Sequence, residues 1–412
     1  YSNYMKCRHC SAELKHTFVD LGSSPPSNAY LSKEKLKEAE QCYPLKVMVC
    51  DHCWLVQTED FVKVDTMFAS DYAYFSSYST SWLDHAKDYV EKVSSKFYLN
   101  SNSIVVEIAA NDGYLLQYIK DKNIPCYGIE PTHSTAQAAR EKGIEIVEDF
   151  FGVDVASRLA KQGRQADLMI ANNVLAHVPD INDFVQGFSI LLKPNGIATF
   201  EFPHVLNLMN NNQFDTIYHE HYSYLSFTAV CNIFDFNGLA VFDVEQIPTH
   251  GGSLRVYAQL SDFGSYQVNT NVVDLQEKED RAGINSINTY QGFQKQAEDI
   301  KNNFLSFLNK TKNNGHSVVG YGAAAKGSTL LNFSGVRPDL LPYVVDKSDA
   351  KQDKFMPGSR VPIMSETQLK KDKPDYIVIF PWNIQDEIIE QLAYIREWGG
   401  KFVIFIPSMR VI

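Results

Sequence analysis

The chain has no uninterrupted apolar run near the ~20 residues needed to cross a bilayer, and no charged-then-apolar export signal at its front. It has no excess of positive charge either: 38 Lys and Arg stand against 49 Asp and Glu, a net charge of -11. That balance argues against nucleic acid or an anionic membrane as a partner. No low-complexity tract interrupts it. The dinucleotide consensus Gly-x-Gly-x-x-Gly is absent after the first apolar strand, so a pyrophosphate grip is not expected there. Cysteine is scarce, seven in 412 residues, and the thiolate ligands described below suit a reducing compartment. A cytoplasmic protein is expected.

What is present begins with those cysteines. Cys7 and Cys10 form one Cys-x-x-Cys pair, and Cys50 and Cys53 form another. Each pair presents two thiolates from one tight turn, and two pairs complete the four-sulfur set that structural zinc favours. The 39 residues between Cys10 and Cys50 exceed the usual spacing. The segments between the pairs are too short and polar to build a core unaided, so the ion would replace much of it. His9 and His52 lie inside the knuckles as bystanders or substitute ligands. Cys42, Cys126 and Cys231 are single, and read as buried thiols or surface positions.

At 412 residues, two or three domains are expected. The aromatic, hydroxyl-rich segment from Asp71 to Tyr78 reads as a loop or helix entry covering a pocket, with a helix from about Ser79 to Ser95. Strands and helices then alternate. Strands are expected at Ile104–Ala110, Cys126–Glu130, Glu145–Val147, Asp167–Asn173 and Ile197–Phe202. The helix Phe184–Leu192 should stop at Lys193-Pro194-Asn195-Gly196. Leu239–Ile247 and Leu254–Leu260 read as a hairpin. Five parallel strands plus a hairpin give seven, one edge strand reversed, a signature of one large class of methyl-transferring folds. Residues 273–312 are mostly helical, and a second alternating unit starts at Val318. The fold class is therefore α/β: a zinc-binding module over 1–66, a seven-stranded Rossmann-like methyltransferase domain over 67–262, and a helical linker with a second Rossmann-like domain over 263–412.

Three constellations carry chemistry. In the first, an apolar strand ends at Glu107 and runs through Ala109, Asn111 and Gly113. The second strand ends at Glu130, a carboxylate suited to both ribose hydroxyls. Asp149 and Phe150 follow the third strand, offering an acceptor for an adenine amine and a ring for its face. Asn172 ends the fourth. Together they read as an adenosyl pocket without a pyrophosphate grip, which suits S-adenosylmethionine (SAM). The bland alternative is a doubly wound sheet with solvated acidic strand ends.

The second is Tyr218-His219-Glu220-His221-Tyr222. Tyr218 and His221, three apart, would share one face of a helical turn. Histidine titrates near neutrality and can take a proton from an acidified carbon. Glu220 can polarise an imidazole or hold a sugar hydroxyl. A metal site through His219 and His221, or a polar surface turn, are the rivals. His177 follows the fourth strand, where such folds place substrate residues; His204 and His250 read as structural. The third is the turn at Gly320 and Gly322, with Lys326 at the helix start and Asp346 ending the next strand, 24 residues after Gly322. It reads as a dinucleotide fingerprint or as a tight turn without ligand.

These residues resemble those of the three-domain sugar C-methyltransferases that modify nucleotide-linked deoxysugars in bacteria. The likeness spans nearly the whole chain. It rests on both Cys pairs, Asp71–Ser77, the Glu107–Gly113 turn, the Tyr218–His221 tetrad, His250-Gly251-Gly252-Ser253-Leu254-Arg255 and the Tyr321–Gly327 turn. The resemblance implies structural zinc, SAM in the middle domain, and a nucleotide diphosphate 4-keto sugar between the middle and C-terminal domains, methylated most often at C-3. It implies His221 as the base, with Tyr218, Glu220 and His177 around the sugar and Tyr72 from the aromatic loop; Tyr74 or Tyr78 are alternatives to Tyr72. Tyr74, Ser77, Gly322, Lys326 and Asp346 would contact the substrate. Ala109-Ala110 depart from the glycines common in methyltransferases. A monomer or weak dimer is expected. The competing function is an NAD(P)-dependent oxidoreductase using the Gly320 turn and Asp346. The nucleotide base, hydroxyl pattern and pathway are not legible.

Overall fold

A computed structural model describes residues 4–59 and 74–412. In the front module, β1 (His16–Ser24), β2 (Tyr43–Val49) and β3 (Val56–Thr58) pair antiparallel. Leu45, Val47 and Val49 alternate inward along β2, the two-residue period of a half-buried strand. The two cysteine knuckles fold alike. Ser11 N–H donates to the Cys7 carbonyl at 3.0 Å, and Trp54 N–H donates to the Cys50 carbonyl at 3.1 Å. Ser11 (φ 62°) and Trp54 (φ 65°) both turn left-handed to close them. The module has more core than its short segments suggest. Phe18, Val19, Val47 and Val49 join a continuous apolar cluster with Phe293, Phe304 and Leu331 of the C-terminal half.

The middle sheet contains β4 (Val105–Ile108), β5 (Cys126–Ile129), β6 (Ile146–Val147), β7 (Ala166–Asn172) and β8 (Leu192–Pro203). A short β9 (Ser223–Tyr224) leaves it to pair with β3, sewing the segment after the tetrad onto the front module. The hairpin β10 (Leu239–Ile247) and β11 (Ser253–Leu260) completes the order β10-β11-β8-β7-β4-β5-β6. The reversed strand is β11, and it lies inside rather than at the edge: it pairs antiparallel with both β8 and β10, leaving β10 outermost. Strand β8 begins at Leu192 instead of Ile197. Lys193–Gly196 loop out of register, between Leu192 opposite Ala166 and Ile197 opposite Leu168, because Pro194 cannot donate to the ladder. Helix Val153–Lys161 is absent from the sequence expectations, although its buried Val155, Ala156 and Leu159 follow helical spacing.

The helical stretch resolves into Thr270–Ala282, Ile287–Gln291 and Phe293–Asn313. Ile284, Phe293, Ile300, Phe304 and Leu308 are buried as their spacing requires. The last sheet is formed by β12 (Val318–Tyr321), β13 (Val344–Val345), β14 (Ile363–Met364), β15 (Tyr376–Ile379), β16 (Lys401–Ile404) and β17 (Arg410–Val411), in the order β14-β13-β12-β15-β16-β17. Only β17 runs antiparallel to its neighbour. Among the described residues, no helix is long and apolar enough to cross a membrane.

Candidate active site

The four cysteine sulfurs lie within 4.8 Å of one another. Sγ of Cys7 is 3.5 Å from that of Cys53, and Sγ of Cys10 is 3.5 Å from that of Cys50. Zinc–sulfur bonds of about 2.3 Å require tetrahedral edges of about 3.8 Å, so the set fits one ion with little adjustment. Gln57 Nε2 donates to Cys7 Sγ at 3.2 Å, an outer contact that suits a thiolate. His9 is committed elsewhere: Nδ1 is 2.8 Å from Asn182 Oδ1 and the ring meets Phe236 edge-on. His52 is not in the cluster.

A cavity of about 630 Å³ opens at the carboxyl ends of β4, β5 and β7. One wall carries Ala109, Asn111, Glu130, Asp149, Phe150 and Asn172. Ala109 (φ 58°) and Asn111 (φ 52°) are both left-handed, a strain of about 1–2 kcal/mol for a residue with a Cβ. The turn is pinned by Glu130, which accepts from Asn111 N–H at 3.0 Å and Thr132 N–H at 2.8 Å. Burial raises the Glu130 carboxyl, and those backbone donors oppose the shift. Asn172 presents a buried amide with neither Oδ1 nor Nδ2 hydrogen-bonded. Unpaired buried amides are rare, so this one fits a bound polar ligand. Phe150 is 44% exposed, and its ring is free to cover a planar base.

Two residues expected in this wall serve the turn instead. Glu107 is wholly buried in β4 with neither carboxylate oxygen hydrogen-bonded, and desolvation pushes its carboxyl well up. Gly113 (φ +79°) lets the turn approach the next helix; a Cβ there would sit 2.5 Å from Ile144 Cδ1. Neither lines the cavity.

Tyr218, Glu220, His221 and His177 form the facing wall. The tetrad is a turn rather than a helix, closed by His221 N–H donating to the Tyr218 carbonyl at 3.0 Å. The rings still meet: His221 lies 4.0 Å from Tyr218 and 4.5 Å from His177, centroid to centroid. Nδ1 of His221 is 2.7 Å from the Thr216 carbonyl. A carbonyl only accepts, so Nδ1 carries the proton and Nε2 keeps its lone pair. Desolvation holds this imidazole well below the usual histidine range, helped by His177, Lys326 and His250. Desolvation likewise brings His177 down to about 4. His219 turns away, with Nε2 3.1 Å from the Tyr43 carbonyl, so it does not pair with His221 about a metal.

From the C-terminal side, Lys326 reaches the same cavity, its ammonium lowered by burial. The ammonium sits 5.6 Å above the Trp382 ring. Tyr74 also lines the cavity. Ser77 does not: its N–H donates to Asp112 Oδ2 at 3.1 Å and its hydroxyl accepts from Lys142 at 2.9 Å. Gly322 N–H donates to the Val345 carbonyl, and Asp346 Oδ2 accepts from Ala323 N–H at 2.8 Å, both away from the cavity lining. Tyr72 lies outside the described residues.

Some residues of the site carry no sequence signal. Asp215, behind the cavity lining and beside Lys326, is buried with Oδ2 accepting from Trp382 Nε1 at 2.8 Å, and desolvation pushes its carboxyl up to about 7. His250, read as structural, lines the cavity from a left-handed position (φ 50°), with Nε2 buried and unpaired. The glycines after it mark the turn, but not where the imidazole ends up.

Residues 248–407 match the family model described as C-methyltransferase C-terminal domain, and residues 82–244 match a methyltransferase domain. Residues 7–68 match a model described as "Putative zinc binding domain". C-methyltransferase NovU of Streptomyces niveus is 33% identical over 407 residues, covering 99% of this chain and 96% of that protein. The chain belongs to the C-methyltransferase family. It is a SAM-dependent methyltransferase with a four-cysteine zinc module, a seven-stranded central domain and a C-terminal α/β domain. Two solved structures align with part of it. PH0226 of Pyrococcus horikoshii OT3 shares 14% identity over 47% of this chain and 99% of that one, TM-score 0.37. Magnesium protoporphyrin IX methyltransferase of Synechocystis PCC 6803 shares 15% over 43% and 82%, TM-score 0.35.

Proposed function

We propose that this enzyme C-methylates a nucleotide diphosphate-linked 4-keto-deoxysugar, at C-3, with His221 as the base. The observation that carries the reading is the state of that imidazole. It is buried and neutral, its Nδ1–H is tied to the Thr216 carbonyl, and it lines the cavity opposite the wall that suits a nucleoside.

A sugar C–H is far too weak an acid for imidazole. A ketone on the neighbouring carbon changes that, because the C–H electron pair can move into an enolate. Nε2 of His221 takes the proton, the Thr216 carbonyl steadies the imidazolium, and a nearby Tyr218 hydroxyl or histidine donates to the developing oxyanion. Glu130 would accept from the ribose hydroxyls of SAM, with Asp149 and Phe150 at the adenine and Asn172 beside it. Bound there, SAM supplies an electrophilic methyl on a sulfonium, which a carbon nucleophile takes with release of S-adenosylhomocysteine. Lys326 suits the diphosphate, and Glu220 suits a sugar hydroxyl. The acceptor is held close to the base chiefly by positioning.

The test is incubation of the enzyme with labelled SAM and a panel of 4-keto-deoxysugar nucleotides, followed by mass spectrometry. Labelled methyl on carbon is the expected product. His221→Asn should lower turnover by about 10²–10⁴-fold while SAM binding, measured by calorimetry, stays intact. Near-normal turnover in that variant removes His221 as the base.

A further inference from the structure

The wall carrying Glu220 is not built by the middle domain alone. Between β1 and β2, the chain leaves the zinc module at Ser24 and returns at Tyr43. Within that excursion Ser27 is buried, 3% exposed, and its hydroxyl is 2.9 Å from both Oε1 and Oε2 of Glu220. Asn28 Nδ2 donates to Oε1 at 3.3 Å, and Asn28 itself lines the cavity. The excursion is fixed from its far side by the C-terminal domain. Ser328 donates to the Ser27 carbonyl at 3.3 Å, Tyr30 donates to the Ala323 carbonyl at 2.5 Å, and Leu31 exchanges backbone hydrogen bonds with Phe355 at 3.0 and 2.9 Å.

A carboxylate has about four acceptor positions. The Ser27 hydroxyl and the Asn28 amide occupy part of them and set the plane of the group. The backbone N–H groups of Asn28 and Glu220 also act on it, and Glu220 itself lines the cavity. The Asn28 side-chain carbonyl makes no hydrogen bond within the described residues, so this residue offers an acceptor next to Glu220.

We propose that Ser27 is a positioning residue for Glu220 and that Asn28 is a substrate-binding residue beside it. The zinc module thus supplies part of the grip on the hydroxyls of the acceptor sugar, and the site is incomplete without it. This rests on the proposed acceptor class.

The experiment compares wild type, Ser27→Ala, Ser27→Thr and Asn28→Ala, each checked for zinc content and a wild-type melting transition. Calorimetry measures binding of a 4-keto-deoxysugar nucleotide to the S-adenosylhomocysteine complex, and kinetics separate KM from kcat. A lost hydrogen bond to a charged group costs about 1.5–3 kcal/mol. Ser27→Ala and Asn28→Ala should therefore raise acceptor Kd and KM about 10-fold or more, with kcat and the KM for SAM little changed, and Ser27→Thr should restore binding. Wild-type acceptor binding in both alanine variants overturns the proposal, as does a kcat loss without a KM change. If Ser27→Ala fails to fold, Asn28→Ala decides alone. A wild-type chain that binds the acceptor but does not methylate it overturns the functional reading and leaves the binding comparison to judge Ser27 and Asn28. One that neither binds nor methylates overturns both.

Discussion

The chain contains two strand–turn–helix junctions of one topology, each at the carboxyl end of a central parallel strand, and they serve different ends. After β4, Ala109 and Asn111 line a cavity, and the acidic residue ending the next strand, Glu130, lines it with them. After β12, the corresponding space is filled by protein. A Cβ on Gly320 would lie 2.5 Å from Phe380 Cε2, and one on Gly322 would lie 2.4 Å from Pro381 Cδ. Asp346 spends Oδ2 on Ala323 N–H and Oδ1 on Ser348 N–H. Only Ala324, Ala325 and Lys326 reach the cavity from this junction. The dinucleotide fingerprint is thus present in letters but closed in space, and the junction acts as a far wall for the first one. Nothing in it favours the oxidoreductase reading. The two junctions differ in whether the acidic strand end opens on a cavity; glycine alone does not decide it.

The sharpest way to break this contrast is to exchange the acidic strand ends. Glu130→Ala should weaken SAM binding by about 10–100-fold, from the loss of charge-assisted hydrogen bonds. Asp346→Ala should leave SAM affinity unchanged while lowering the melting temperature. Calorimetry with S-adenosylhomocysteine checks both, and equal losses would erase the distinction. Next in size is Gly322→Ala. With φ +97° and a rigid proline ring in the way, it should destabilise the fold by about 1–3 kcal/mol, with SAM affinity intact; denaturant melts measure it.

The far wall's electrostatic part is tested by pH. Because His221 is held well below 6.5, methyl transfer should persist below pH 6.5 and fall only as pH drops through that depressed value and Nε2 takes a proton. Lys326 is among the causes, after desolvation and His177. Lys326→Met should move the acid limb of the pH–rate profile upward; an unmoved limb would make the lysine electrostatically silent toward the base. The smallest effect belongs to Ala109→Gly. Relief of left-handed strain, about 1–2 kcal/mol, is offset by the backbone entropy of glycine, about 0.5–1 kcal/mol. A rise in stability of under about 1 kcal/mol is expected, again by denaturant melts.

Much of this was written in local pattern. Cysteine spacing fixes a four-sulfur site because two short turns can close only a few ways. Alternating apolar strands and helices fix two parallel sheets, since buried strands and their crossovers must bury matching faces. The cavity-lining residues Asn111, Glu130, Asp149 and Asn172 follow from where strands end. The tetrad residues stand out because a Tyr, a Glu and two His within four positions are costly to bury without use.

What the sequence left undecided was how the walls of the cavity meet from distant segments. Ser27 and Glu220 are 193 residues apart, and no local pattern joins them. The Gly320 turn reads as a ligand loop until Pro381 and Phe380 are seen to fill it. His250 reads as structural until the hairpin carries it to the cavity wall. Periodicity and spacing act over a few residues, where the backbone itself enforces them. Which pocket stays open, and which carboxylate is already satisfied, depends on packing between segments that meet only once the chain has folded.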